Sequence, residues 1–170
     1  MTLRLVLMGV AGSGKTSVGK ALAQRLGVPY RDGDDLHPAA NVEKMRGGVP
    51  LDDADRWPWL GLVGTAMAHN APLIIGCSAL RRRYRDRIRE TAGSEVTFIH
   101  LSGSRAVIEA RMAQRQGHYM PVTLLDSQFA ALELPQPDEN AVTVDIDQPL
   151  AAIVASIVDQ IERRPTFSIR

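Results

Sequence analysis

The sequence has little of several residue types, and each shortage excludes a class of protein. Its 170 residues include a single cysteine, Cys77, so no disulfide can form within the chain, and the reducing cytoplasm is the expected location. The apolar run near the start is too short for a signal peptide or a membrane span. Lysine and arginine together number 20 against 19 acidic residues. This balance gives the chain as a whole no strong attraction to nucleic acids or to membrane surfaces.

What the sequence does contain is a regular alternation of apolar runs and helical periodicities. Mostly apolar segments that predict strands lie at residues 3–8, 72–78, 96–101 and 141–146, and PYRDGD at 29–34 is interpreted as the end of a further strand, the second along the chain. Helical stretches separate most of them, and in the last one apolar residues recur at three- and four-residue steps from Leu150 to Ile161. Strands that alternate with helices predict a three-layer α/β fold, a parallel five-stranded sheet with helices on both faces. With a length of 170 residues, this indicates one domain over residues 1–170.

The segment GVAGSGKT, from Gly9 to Thr16, matches the pattern G-x-x-x-x-G-K-[ST] of a phosphate-binding loop. It follows an apolar strand and precedes a helix, which is the context that phosphate binding requires. The glycines let backbone N–H groups turn inward, the helix N-terminus adds partial positive charge, and Lys15 reaches the outer phosphates. Thr16 can offer its hydroxyl to Mg²⁺. The predicted nucleotide site comprises Gly9, Val10, Ala11, Gly12, Ser13, Gly14, Lys15, Thr16 and Ser17.

An acidic cluster lies just past the second predicted strand, at residues 32–35. Most P-loop proteins take a further metal ligand from an acid that ends an apolar strand, but the third and fourth predicted strands end without one. Asp34 is therefore the predicted functional acid, able to serve both Mg²⁺ and the hydroxyl of an acceptor, which suits a small-molecule kinase. For Asp32 and Asp35, turn formation or capping of a helix in the segment 37–46 is as good an explanation as a functional role.

Arginines near the predicted strand ends are candidate anion ligands. The acids of PLDDADRWPWL predict a helix N-terminus with Pro58 in its first turn. Within it, the guanidinium of Arg56 suits a carboxylate substrate, although an ion pair with a nearby aspartate explains it equally well. Residues 78–89 carry six arginines and begin at the end of a parallel strand, so some should face the crevice of the phosphate loop. Only Tyr84 is interleaved, which disfavours a nucleic-acid surface.

Residues 104–120 predict a helix that ends at Gly117. Arg111 and Arg115 are four positions apart and therefore lie on one face of it. Such a pair fits a lid that closes over transferring phosphates and excludes water. A pair of exposed helix arginines is the alternative, and His118, taken alone, would more often be structural.

Beyond these motifs, the sequence resembles the bacterial-type gluconate kinases, the short P-loop gluconokinases, over nearly its whole length. Besides the phosphate loop, the resemblance is carried by GDDLHP at 33–38, NVEKM at 41–45, PLDDADRWPWL at 50–60, CSALRRRYRDRIR at 77–89, GHYM at 117–120 and LLDSQFAALELPQPDE at 124–139. It implies a nucleoside-monophosphate-kinase-like fold with a lid. It also implies ATP and Mg²⁺ as cofactors, transfer of the γ-phosphoryl group to the 6-hydroxyl of D-gluconate, and a homodimer.

The resemblance assigns roles residue by residue. It implies that Gly9 to Thr16 bind the phosphates of ATP, that Asp34 is the acceptor-side acid, and that Arg111 and Arg115 are the lid arginines. DIDQP at 145–149 resembles the loop beside the adenine, with Gln148 as its candidate contact.

Two positions depart from the residues usual in that family. Tyr119 stands where phenylalanine is usual, and Ala131 where threonine is common. Both lie in the acceptor-side or lid region, so they bear on fine specificity rather than on phosphate chemistry.

Together these residues form a hypothesis for phosphoryl transfer. Lys15, the loop amides, Mg²⁺ and the lid arginines would stabilise the charge of a loose transition state. Asp34 would orient the acceptor hydroxyl and take its proton. The candidates for binding gluconate are Asp34, His37, Lys44, Arg56, Arg82, Arg85 and His118.

Other functions stay open on the residues alone. A kinase for another small hydroxy acid, such as shikimate, would also need an aspartate after the second strand and arginines for a carboxylate, although GDDLHP and LLDSQF argue against it. A nucleotide-dependent switch would need a guanine-specific N-K-x-D type motif, which the sequence lacks, or a water-positioning glutamine near the γ-phosphate. The near-neutral charge disfavours a kinase that acts on nucleic-acid ends.

Overall fold

A five-stranded parallel sheet forms the centre of the molecule, which a computed structural model describes over residues 2–114 and 122–164. Its strands are β1 (Arg4–Met8), β2 (Tyr30–Asp32), β3 (Leu73–Gly76), β4 (Thr97–Ser102) and β5 (Ala141–Asp145). Their order across the sheet is β2-β3-β1-β4-β5. In the central strand, Val6 is in register with Ile75 of β3 on one side and with Phe98 of β4 on the other. The prediction of a parallel α/β sheet is confirmed, with a strand in each of the five predicted segments.

Helices cover both faces of this sheet. They are α1 (Lys15–Leu26), α2 (Ala39–Arg46), α3 (Asp53–His69), α4 (Arg82–Ala92), α5 (Arg105–Ala113), α6 (Val122–Ala131) and α7 (Leu150–Glu162). The side chains of β1 alternate between two hydrophobic clusters because successive residues of a strand point to opposite faces. Leu5 and Leu7 pack in the cluster that includes residues of α1 and α7. Val6 and Met8 pack in the cluster that includes residues of α3 and α4.

The phosphate loop connects the buried strand β1 to helix α1. Gly14, the residue before the helix, has φ 93° in the left-handed region, which favours glycine because a Cβ would be strained there. The loop therefore turns sharply at the carboxyl edge of the sheet, and α1 begins at Lys15. This places the N-terminus of α1 next to the segments that follow β2 and β3.

Two helix boundaries differ from those predicted. Helix α3 begins at Asp53, and Asp52 forms a capping box with Asp55, so Pro58 lies in the second turn instead of the first. Helix α5 ends at Ala113, before the predicted end at Gly117, and no glycine or proline marks that position in the sequence.

Some predicted features lie outside the described residues. The lid residues Arg115, Gly117, His118 and Tyr119 all fall in the segment 115–121. Within the two described ranges, no helix is long and apolar enough to cross a membrane.

Candidate active site

The candidate site is a crevice at the carboxyl ends of β1, β2 and β3, where parallel α/β sheets commonly bind ligands. It is lined by the phosphate loop, by Asp32 and Asp34 after β2, by residues 76–78 after β3, and by Gln128 of α6. The fold thus brings the predicted nucleotide loop and the predicted acceptor-side acid to the same crevice.

The phosphate loop is held in shape by its own polar groups. The Lys15 ammonium donates to the backbone oxygens of Gly9 and Val10, at 2.9 and 3.1 Å. The Gly9 N–H donates to the oxygen of Ser78, at 3.1 Å, which ties the loop to the end of β3. The hydroxyl of Ser13 is buried against Gly9 and has no hydrogen-bond partner among the described residues. Ser13 therefore contributes its backbone rather than its side chain, whereas Thr16 lines the crevice.

Two aspartates of the acidic cluster after β2 have different structural positions and different roles. Asp32 Oδ1 accepts a hydrogen bond from the backbone N–H of Asp34, at 2.9 Å, and caps a 3₁₀ helix over Gly33–Leu36. Trp59 of α3 fixes the same turn by donating its indole N–H to the oxygen of Gly33, at 2.8 Å. Asp32 thus has the predicted capping role. Asp34, held by this turn, extends its carboxylate into the crevice.

His37 lies behind Asp34 in a geometry that fixes its tautomer. Its ring stacks on Trp59 with 4.1 Å between the ring centroids. The Asn41 amide donates to the oxygen of Asp55, at 2.9 Å, and faces His37 Nδ1 at 3.2 Å. Because an amide nitrogen is a donor, Nδ1 accepts, and a neutral ring then carries its proton on Nε2. Nε2 lies 3.7 Å from Asp34 Oδ1, so this proton faces the carboxylate.

The charges around Asp34 act on its pKa in opposite directions. Its side chain is 80% exposed, yet it stands in a concave crevice. The partial loss of solvent there, followed by the negative charge of Asp32, raises the pKa of Asp34, while His37 and Lys15 oppose the rise. Desolvation, and to a lesser extent the cation of Arg56, lowers the pKa of His37 although Asp34 acts against them. The lowered pKa of His37 favours its neutral imidazole, and the raised pKa of Asp34 makes its carboxylate a stronger base than an ordinary aspartate.

Arg111 of α5 lies on the other side of the phosphate loop. Its guanidinium donates to the backbone oxygens of Ile146 and Gln148, in the loop after β5. A Cβ added to Gly14 would lie 3.6 Å from Arg111 Nη1, so the guanidinium is next to the phosphate loop. The Gln148 side chain donates to the oxygen of Asp145, at 2.7 Å. Arg111 and the predicted adenine-side loop are thus brought together.

Two predicted acceptor-side cations are already paired with aspartates of α3. Lys44 donates to Asp55 Oδ2 at 2.8 Å and joins α2 to the first turn of α3. Arg56 lies 3.6 Å from Asp53 Oδ1 and above the ring of Tyr84. Since Arg56 also acts on the pKa of His37, it is the predicted arginine whose charge reaches the Asp34–His37 pair.

The two arginines predicted on α4 do not line the crevice. Arg82 forms a bidentate pair with Asp138, at 3.0 and 2.7 Å. Arg85 is fully buried and donates to both carboxylate oxygens of Glu139 and to the backbone oxygens of Ala79 and Glu133. The prediction that Arg85 binds substrate is wrong, because its guanidinium is enclosed in the interior with its donors engaged.

Sequence reasoning missed two residues of the crevice, Gln128 and Tyr30. The hydroxyl of Tyr30 lies so close to Gly76 that a Cβ there would come within 2.4 Å of it. A glycine at the end of β3 was the one available signal for that approach. Gln128 has no such signal, because its contact with the phosphate loop joins residues that are 117 positions apart.

Comparisons with known proteins agree with this geometry. A domain family described as AAA domain matches residues 5–135. The thermoresistant gluconokinase of Escherichia coli (strain K12) is 45% identical over 163 residues, which cover 93% of this chain and 93% of that protein. The crystal structure of a gluconokinase from Sinorhizobium meliloti 1021 has a TM-score of 0.87 and 46% identity, and covers 95% of this chain and 92% of that chain. The chain belongs to the gluconokinase family.

Membership of the gluconokinase family confirms the resemblance seen in the sequence and the prediction that the chain is a kinase. The shikimate kinase of Aquifex aeolicus vf5 has a TM-score of 0.61 at 16% identity, covering 94% of this chain and 96% of that chain. At that identity the likeness shows a shared fold alone. The shikimate alternative is therefore less well supported than a gluconokinase.

Proposed function

We propose that this chain transfers the γ-phosphoryl group of ATP to the 6-hydroxyl of D-gluconate, giving 6-phospho-D-gluconate. The observation that carries the proposal is the position of Asp34, which shares one crevice with the phosphate loop in a chain 45% identical to a gluconokinase. A phosphoryl donor and a base for the acceptor hydroxyl are the two requirements of such a transfer.

The residues of the crevice suit Mg²⁺. The oxygen donors beside the loop are the Thr16 hydroxyl and the Asp32 and Asp34 carboxylates. No group of three or more metal-binding side chains is found in residues 2–114 and 122–164. This agrees with Mg²⁺, which keeps several waters and binds through one or two carboxylates plus substrate phosphates. Thr16 and Asp34 would hold the ion. When bound, Mg²⁺ neutralises negative charge on the β- and γ-phosphates.

The reaction needs positioning and charge stabilisation more than covalent chemistry. The loop amides and Lys15 bind the phosphates. The 6-hydroxyl oxygen forms a bond to the γ-phosphorus, the bond from that phosphorus to the bridging oxygen of ADP breaks, and the hydroxyl proton passes to Asp34. His37, whose Nε2 lies 3.7 Å from Asp34 Oδ1, directs its N–H toward that carboxylate without a direct hydrogen bond in this structure. Arg111, with Arg115 beyond the described residues, stabilises charge on the transferring group.

Gluconate carries a carboxylate, which needs a cation on the acceptor side of the crevice. Arg56 is the best candidate because it is one-third exposed and its charge reaches His37. A guanidinium can bind a carboxylate through two hydrogen bonds. Lys44 and His118 stay secondary candidates, Lys44 because its ammonium is engaged by Asp55.

The first test is an assay of ADP release with ATP and Mg²⁺ against D-gluconate, its epimers, shikimate, glucose and nucleoside monophosphates, with a control that lacks any acceptor. Turnover on gluconate alone is expected. Turnover on shikimate or another acid instead would show that the chain is a kinase but would contradict gluconate as its substrate. Equal ADP release with and without acceptors would contradict the kinase function and favour a nucleotide-dependent switch.

Asp34→Asn tests the role of the base in the same assay. The variant keeps the size of the side chain but removes the proton acceptor, so turnover should fall at least roughly a hundredfold, while ATP binding measured by calorimetry is largely retained. Asp35→Asn is the matched control, since Asp35 is the next residue and is also exposed. Near-normal turnover of Asp34→Asn would remove Asp34 from the catalytic role.

The same proposal includes a cytoplasmic homodimer. The family resemblance supports the dimer. The cytoplasmic location is supported by the single cysteine, Cys77, which is buried and has its pKa raised to about 12, chiefly by desolvation. Such a thiol stays reduced and unreactive. Light scattering coupled to size exclusion measures the mass, and a monomer would contradict the dimer.

A further inference from the structure

Gln128, on α6, makes a direct hydrogen bond to the phosphate loop. Its Oε1 accepts from the backbone N–H of Ala11, at 2.6 Å. Ala11 is in the middle of GVAGSGKT, and both residues line the crevice that contains Asp34. A polar side chain from a distant helix is therefore fixed against the loop that binds the phosphates.

The partner of Gln128 determines which way its amide faces. A backbone N–H is a donor, so the amide oxygen must face Ala11 and the amide nitrogen must face away from it. In the described part of the chain, Nε2 of Gln128 makes no hydrogen bond, although the residue is half-buried in the crevice wall. Gln128 thus presents two N–H donors that no described residue of the chain uses.

The order of the strands shows what those donors face. The phosphate loop follows β1, the middle strand; β3 and β2, with Asp34, lie on one side of it, and β4 and β5, with the Arg111 contacts, lie on the other. Gln128 lines the crevice together with Asp34 and residues 76–78, so its side chain borders the cavity on the Asp34 side, while Asp126 joins α6 to Arg105 of α5. The γ-phosphoryl group meets the acceptor on this side, because Asp34 must be near the acceptor hydroxyl.

We propose that Gln128 contacts the phosphoryl group in transit, donating a hydrogen bond from Nε2 to one of its oxygens while its Oε1 stays on Ala11. A neutral donor held in place before the reaction stabilises the charge that the equatorial oxygens carry in a loose transition state. The inference rests on the proposed phosphoryl transfer and adds a catalytic residue to it. It also gives α6 a chemical role beyond packing.

Two substitutions separate this role from a purely structural one. Gln128→Glu keeps the length of the side chain and an oxygen for Ala11, but removes the N–H donors. Gln128→Met keeps the length and removes both functions. If Gln128 only holds α6 against the loop, the glutamate variant should keep its kcat, with only its KM for ATP raised by the added negative charge, and the methionine variant should lose thermal stability. If Gln128 donates to the phosphoryl group, both variants should lose turnover.

The experiment measures kcat, the KM for ATP and for gluconate, and the melting temperature of each variant. Both variants are expected to lose roughly a hundredfold in kcat, the loss seen when one donor to a transition-state oxyanion is removed, with little change in the KM for gluconate and, in Gln128→Glu, an unchanged melting temperature. Ser127→Ala is the matched control, because its hydroxyl donates to the backbone oxygen of Leu124 in the same helix. That variant should behave as the unmodified chain.

Two results would overturn the inference: an unchanged kcat in Gln128→Glu, or a loss confined to Gln128→Met together with a lower melting temperature. Failure of the proposed function gives a different result. If the unmodified chain phosphorylates another acid and not gluconate, the substrate assignment is wrong, and the same variants compared on that acid still decide whether Gln128 contacts the phosphoryl group.

Discussion

At the scale of single residues, the three neighbouring acids Asp32, Asp34 and Asp35 have different environments, and only one of them suits the chemistry. Asp32 is engaged by the backbone of its own turn, and Asp35 does not line the crevice. Only Asp34 faces both the phosphate loop and His37. Its raised pKa makes it a better proton acceptor than an ordinary aspartate, because a base works best when its pKa lies closer to the working pH.

The negative charge of Asp32 should be visible in the pH dependence of the reaction. Protonated Asp34 cannot accept a proton, so kcat/KM falls as the pH drops through its pKa. Asp32→Asn removes a charge that raises this pKa, while the amide oxygen can still cap the turn. We therefore expect the acid limb of the kcat/KM profile to move to lower pH in Asp32→Asn.

Asp35→Asn provides a graded comparison for that measurement. Asp35 raises the pKa of Asp34 less than Asp32 does, so its removal should shift the acid limb in the same direction by a smaller amount. A shift to higher pH in either variant would show that the limb belongs to another group.

At the scale of the elements, the sheet order separates two halves of the site. The acceptor side is built by the segments after β2 and β3, and the side with Arg111 by α5 and the loop after β5. Because the phosphate loop lies between them, changes on one side should affect binding and turnover differently from changes on the other.

Arg111→Ala tests this separation. The guanidinium lies beside the phosphate loop and away from Asp34, so its loss should lower kcat by roughly a hundredfold or more and leave the KM for gluconate nearly unchanged. Arg105→Ala is the matched control on the same helix, since Arg105 is paired with Glu109 and Asp126. A variant in which only the KM for gluconate changes would show that Arg111 belongs to the acceptor side.

Strands, helices and the phosphate loop could be predicted from sequence where the pattern that indicates them lies within one short stretch of residues. All strands but β2 lie in short, mostly apolar segments, the phosphate loop is a contiguous motif, and α7 carries an apolar stripe over a single stretch. The partners of the α4 arginines were not predictable in this way. The pair Arg85–Glu139 joins residues 54 positions apart, and charge patterning alone cannot tell a buried ion pair from an arginine that faces a ligand. Gln128 was missed for the same reason.

At the scale of the whole molecule, the buried pair Arg85–Glu139 connects α4 to the segment that leads into β5. Both side chains are 0% exposed. Arg85 also donates to the oxygen of Ala79 at 2.9 Å, next to the crevice residues 76–78, and Ala79 has φ 44° in the left-handed region. The pair therefore stabilises both the fold and the conformation of a segment beside the site.

Arg85→Met should destabilise the protein strongly, because buried Glu139 loses its bidentate partner and keeps only Arg89, at 3.4 Å, and the N–H of Gln136. We expect a loss of about 3–5 kcal/mol in the free energy of unfolding, measured by chemical denaturation. The double variant Arg85→Met with Glu139→Leu should recover part of that loss, since no charge is then left unpaired. Equal stability of the single and double variants would show that the pair is not coupled.

The buried histidine of β4 should dominate how the stability of the whole molecule responds to mild acid. His100 is 2% exposed, and desolvation together with the nearby cation of Arg85 lowers its pKa to about 4. The unfolded chain binds a proton at His100 below about pH 6.5, whereas the folded chain does so only near pH 4. Between these values the unfolded state holds more protons, so stability falls as the pH falls.

His100→Leu isolates this contribution. From pH 7 to pH 5 the free energy of unfolding of the unmodified chain should fall by about 2 kcal/mol through His100, and urea denaturation at the two values measures the loss. Glu139, with its pKa held at about 2 by Arg85 and by the N–H of Gln136 against the effect of burial, stays ionised over this range in the folded state and adds little.

The leucine variant should lose much less stability on acidification. It should be no less stable than the unmodified chain at pH 7, because His100 Nδ1 is buried without a partner in residues 2–114 and 122–164. An equal loss in both proteins would mean that another group takes up the proton.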